Sequence, residues 1–142
     1  MDKTAAVVDS SKKAVFAAPQ LDEHYYRQLF RIQQDIALDP GNREKKEKFI
    51  FNAYFPEKNT LISFGSARKI NPSTNQNIPY PLQKRAAVVD AKRWATYGLL
   101  WISNDFKPDF GKISDVHVGE TQEVFSFESG DSLIIVLANK VL

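Results

Sequence analysis

Cysteine is absent from this chain, which excludes disulfides, thiol nucleophiles and cysteine-ligated zinc and leaves the compartment open. Glycine is scarce, with six in 142 residues, so little is left for a phosphate-cradling loop. No P-loop, GxGxxG, GxSxG or HExxH pattern occurs. No apolar run reaches the length of a transmembrane helix, and Asp9 and Lys12 interrupt the opening "MDKTAAVVDSSKKAVF", which does not read as a signal peptide. The formal net charge of +2 is too small to imply nucleic acid or anionic lipid as a partner.

What is present is an ordinary globular composition, 43% apolar and 25% charged, in a length that suits one domain with a real core. Aromatics make up 12%, ten of them Phe, which favours a sheet-bearing core. Charge is unevenly spread. Six basic residues from Arg68 to Arg93 face Asp90 alone, whereas seven acids from Asn104 to Asp131 oppose Lys107 and Lys112. Arms of opposite sign read as a partly self-neutralising surface, within one chain or between copies.

Residues 1–21 carry no firm period and read as a loosely held arm; residues 22–142 read as a single α+β domain. Over 22–38, Tyr25, Leu29, Ile32 and Ile36 form an apolar stripe at helical spacing, Asp22 can cap the start, and "DPGN" at 39–42 stops the helix. Aromatic or β-branched runs on either side of Pro56-Glu57-Lys58-Asn59 predict a β-hairpin, with Phe49, Phe51, Ala53 and Phe55 on one side. Gly65 in the second run suggests a bulge or a close backbone approach. A polar loop with three prolines follows, and Pro81 suits the first turn of a helix over 80–102.

That helix is thin on its buried side. Ala87, Ala91, Ala95, Gly98 and Ile102 share the centre of the apolar arc, with Val88 and Leu99 on one shoulder and Trp94 and Trp101 on the other. Small residues down the middle let a helix backbone lie close on a sheet. Leu82, Ala86, Val89 and Leu100 form a second apolar line on the opposite side, which the 22–38 helix is placed to cover. The tail is all β: a strand around Ile113, Val116 and Val118, then 123–128 and 133–142 joined through "SGDS". The run Leu133 to Ala138 suits an interior strand. The expected architecture is α+β, an antiparallel sheet of about five strands with the long helix packed on it and a second, N-terminal helix.

The segment "ISFGSARKINPSTNQNIPYPLQKRAAVVDAKRWATYGLLW", with Gly65 after a strand, Ala86-Ala87, Asp90-Ala91 and the closing strands, resembles the Lpp-twenty-like bacterial outer-membrane and flagellar-assembly lipoprotein family over roughly 62–138. The resemblance implies a non-catalytic envelope module, a helix laid on a small sheet, acting through a protein partner or self-association in the periplasm or at the outer membrane. The family's lipid-bearing Cys has no counterpart here, so membrane attachment would need an anchor this chain does not carry. The resemblance carries over no cofactor and no active-site residue.

Three readings of function stay open. The first is that protein-contact module, with Leu82, Val89, Leu100 and Trp101 as contact candidates; intramolecular packing is the alternative for all four. The second is a single-strand nucleic-acid binder built on Lys69, Lys84, Arg85, Lys92 and Arg93 with Tyr80, Trp94 and Tyr97. The third is a small enzyme or metal protein using Asp115 and His117, two apart on a predicted strand and so on one face, with no third ligand at telling spacing. His24 reads as a surface residue, and Asp90 as an ion-pair partner of Arg93.

Overall fold

Local signals place the first helix. In the computed structural model, which describes residues 18, 19, 21–107 and 119–141, α1 spans Glu23–Leu38, and the Asp22 carboxylate accepts from the Tyr25 amide at 2.8 Å. Its buried stripe runs through Tyr26, Leu29, Phe30, Gln33 and Ile36. The expected N-terminal arm and the strand around Ile113–Val118 lie outside the described residues, apart from Ala18, Pro19 and Leu21.

The expected hairpin is corrected in its first half. Residues Arg43–Ala53 form a helix, α2, and only Tyr54–Phe55, β1, pairs with the start of β2, Thr60–Arg68. Three local features outweigh the two-residue alternation of the Phe-rich run. Asn42 accepts from the Lys45 amide at 3.1 Å, the first turns are rich in Glu and Lys, and Arg43 meets Glu47 at 3.0 Å one turn on. Lys46, Phe49 and Ala53 then share a buried helical face, leaving Phe51 on the outside at 86% exposure. The turn itself stands where expected, as a 3₁₀ turn at Pro56–Lys58 closed by left-handed Asn59.

The long helix α3 spans Tyr80–Ser103 with Pro81 in its first turn. Strands β3, Thr121–Ser129, and β4, Ser132–Lys140, form the closing hairpin, with Gly130 at φ +57° in its two-residue turn. Among the described residues four strands, where about five were expected, make an antiparallel sheet in the order β1-β2-β4-β3, with an irregularity in β3 between Glu123 and Phe125. β4 is central, and every residue from Leu133 to Asn139 is buried.

Side-chain parity divides the core between the two sheet faces. Ala67, Leu133, Ile135 and Leu137 pack with Ala87, Ala91 and Val88 of α3. Phe64, Phe127, Ile134 and Val136 pack with Tyr26 and Phe30 of α1, whose rings lie 6.4 and 5.8 Å from Phe64. The alanine seam is therefore flush on the β-layer, and Gly65 shows how close it lies. A Cβ at Gly65 would overlap the Ala87 carbonyl oxygen and the Ala91 amide. Ser63 on the same face donates its hydroxyl to the Ala91 carbonyl at 2.8 Å, and Asn139 donates its amide to Ser63 Oγ at 2.9 Å.

The expectation that α1 covers the second apolar line of α3 fails. α1 packs on the other face of the sheet because Tyr26 and Phe30 find the even-numbered residues of β2 and β4 there, and Leu82 and Val89 remain exposed.

Candidate protein-contact surface

The outward face of α3 is built by the same helix that forms the seam. At 3.6 residues per turn, the residues opposite Ala87 and Ala91 are Leu82, Ala86 and Val89. Leu82 is 49% exposed and Val89 63%, and Ala86 is exposed between them. Leu100, the third contact candidate, is half-buried. Trp101 is wholly enclosed: its ring stacks with Tyr97 at 6.2 Å and meets Trp94 edge-on at 6.4 Å, and the Lys46 ammonium lies 5.4 Å from its centroid. Trp101 is thus a core residue, the intramolecular alternative, because the short side chains of the seam draw α3 down until its Trp shoulder is covered. The structure brings Leu82 and Val89 together on one face and separates Trp101 from them.

Charge around this line is partly internal. Lys84 meets Glu123 at 3.1 Å, Lys69 meets Glu128 at 2.8 Å, and Arg93 meets Asp90 at 2.7 Å. The hydrogen bond to Glu123 holds the Lys84 ammonium above the usual lysine range. The basic and acidic arms thus neutralise one another within the fold at Lys69 and Lys84. Arg85 and Lys92 are exposed beside the apolar line, and neither forms an ion pair with another described residue.

One flank of α3 leads into a cleft of about 230 Å³ lined by Phe30, Gln33 and Gln34 of α1, Ser66 of β2, and Asp90, Arg93 and Trp94 of α3. Sequence reasoning missed Gln33. It is buried at 2% exposure, and its amide bonds the Phe64 backbone twice, accepting from the amide at 3.1 Å and donating to the carbonyl at 2.8 Å. The available signal was a polar residue at i+4 from Leu29 and i−3 from Ile36, inside the apolar stripe. Asp90 does pair with Arg93 as expected, and its other oxygen accepts from the Ser66 amide at 3.0 Å.

The other readings find fewer groups than they need. Trp94 and Tyr97, two of the three rings of the nucleic-acid reading, are in the core, and Lys69, Lys84 and Arg93 are paired; Tyr80, Arg85 and Lys92 stay exposed. Asp115 and His117 lie outside the described residues. Among the described residues no three His, Cys, Asp or Glu side chains gather as a metal site, and no helix is long and apolar enough to cross a membrane. His24 is exposed on the first turn of α1. No family model, curated protein or solved structure matches this chain.

Proposed function

We propose that this domain is a non-catalytic assembly module of the bacterial envelope that binds a protein partner through the outward face of α3. The observation that carries the reading is the exposed line Leu82–Ala86–Val89 on a helix whose opposite face is locked to the sheet. A helix held so firmly presents its outer residues with little entropy left to lose on binding. Arg85 and Lys92 beside that line select the partner's chemistry: an acidic segment with apolar anchors, such as an amphipathic helix with carboxylates flanking its apolar stripe. The placement at the envelope rests on the family resemblance over 62–138.

A photo-crosslinking residue placed at 82 or 89, with position 57 on the exposed turn as control, tests the reading in a bacterium expressing the full chain. The expected result is one discrete adduct from 82 and 89 in the envelope fraction, absent from 57 and abolished by Arg85→Glu with Lys92→Glu. Equal labelling at all three positions, or labelling indifferent to the charge reversal, refutes the surface. Recovery of the adduct in the cytosolic fraction alone, with none in the periplasmic or membrane fractions, refutes the envelope placement separately.

A further inference from the structure

Leu82, Ala86 and Val89 follow one another four and then three residues apart, the spacing of a coiled-coil seam, and Arg93 stands at the next such step. The three are exposed over two turns of a helix whose inner face is fixed to the sheet. The two flanks of this seam differ. Arg85 and Lys92, each three residues after a large apolar one, share one flank; both are exposed, and neither forms an ion pair with another described residue. Gln83 and Asp90 hold the matching places on the other flank and are already taken up. The Gln83 amide donates to the Ile78 carbonyl at 2.7 Å, and the Asp90 carboxylate accepts from Arg93 at 2.7 Å and from the Ser66 amide at 3.0 Å. Only the basic flank is open.

We infer that this seam turns away a second copy of the chain and takes a helix of a different protein, acidic along one flank with carboxylates two turns apart. The inference rests on the reading of this face as a contact surface and fixes what that surface selects. Antiparallel helices in a coiled coil bring like flanks together, so an antiparallel copy sets Arg85 against the other Arg85 or Lys92. A parallel copy stacks each seam residue on itself, so Arg93 meets Arg93, and the Asp90 that Arg85 would reach is held by Arg93 and Ser66. A foreign helix with carboxylates seven residues apart on the facing flank meets Arg85 and Lys92 together. Ala86 between the larger Leu82 and Val89 leaves room for one large apolar residue of that helix. Specificity here comes from repulsion of the wrong partner as much as from attraction of the right one.

The test titrates nitrogen-15-labelled full-length wild type with unlabelled copies, either wild type or Arg85→Glu combined with Lys92→Glu, and follows amide shifts by nuclear magnetic resonance. The reversed copy is the probe, because it carries acids on the flank where the proposed partner has them. Two contacts pass from repulsion to attraction, each worth about a factor of two in either sense, so the reversed copy binds about tenfold more tightly than wild type binds itself. Shifts centre on Leu82, Ala86 and Val89, and salt at about 0.5 M removes most of the difference. Leu82→Ser with Val89→Ser in the labelled chain abolishes binding; all four substituted side chains are exposed, so these variants keep the fold. Wild type that binds itself as tightly as it binds the reversed copy overturns the inference and leaves the contact surface standing. A reversed copy that does not bind, or that binds the Ser variant equally well, also overturns it. The crosslinking at 82 and 89 reads the contact surface with its native partner, so the two readings fail separately.

Discussion

Gly65 and Gly98 both sit where α3 meets β2, and replacing each by Ala separates a backbone contact from a side-chain one. At Gly65 the added Cβ would overlap the Ala87 carbonyl oxygen and the Ala91 amide and lie 2.9 Å from the Ala87 carbonyl carbon, all helix backbone that cannot turn aside. The helix must lift. Lifting stretches the Ser63 Oγ to Ala91 carbonyl bond of 2.8 Å, worth about 1 kcal/mol, and opens a gap along Ala87 and Ala91 that forfeits a quarter to a half of the dispersion there. Adding the usual 1–3 kcal/mol for overpacking gives a loss of about 2–4 kcal/mol. At Gly98 the nearest atom is Leu61 Cδ2 at 2.7 Å, the end of a flexible side chain, and Ala gains about 1 kcal/mol of helix propensity over Gly. Gly98→Ala should therefore stay within about 1 kcal/mol of wild type. Guanidinium unfolding followed by tryptophan fluorescence and far-UV circular dichroism reads both. A Gly65→Ala variant within about 1 kcal/mol of wild type, or less damaged than Gly98→Ala, would refute the close seam.

Phe49 and Phe51 would share a face in a strand but occupy different sides of α2. Phe49→Ala should cost about 3–5 kcal/mol and Phe51→Ala less than about 1 in the same unfolding assay, and equal costs would restore the hairpin. Burial holds the Tyr26 hydroxyl above the usual tyrosine range, against a backbone hydrogen bond at Leu21 that pulls the other way. The folded chain thus keeps this proton to higher pH than the unfolded chain. Stability is full below about pH 10 and falls as pH rises from there through the folded-state pKa. Tyr26→Phe should flatten the alkaline fall in unfolding midpoint between about pH 9 and pH 11, and an unchanged slope would remove Tyr26 as its source.

Much of the fold was legible from local chemistry. The span of α1, its Asp22 cap, the Pro81 start of α3, the two-residue turn at Gly130 and the interior character of β4 each follow from residues within a few positions of one another. The seam was legible too, because small residues at helical spacing have few other uses. The candidate surface was half legible: Leu82 and Val89 fall opposite the seam as expected, but α1 does not cover them, and spacing alone did not separate Trp101 from them. Large aromatics on a helix shoulder fit a core or an interface equally well until the depth of the helix is known.

What the sequence determined by itself is periodic and short-range: an α+β chain with a long helix built for close contact, and no motif of known chemistry. What only the tertiary structure decided is which face covers which. The alternation of "KFIFNAYF" yielded to a helix because capping and the buried face of Lys46, Phe49 and Ala53 together outweigh two-residue spacing. α1 went to the far face of the sheet because that is where Phe64 and Phe127 offer Tyr26 and Phe30 apolar area. The partners of Gln33 and Asp90 were invisible in sequence because a side chain that satisfies a strand edge answers to backbone groups, which every residue type but proline carries alike.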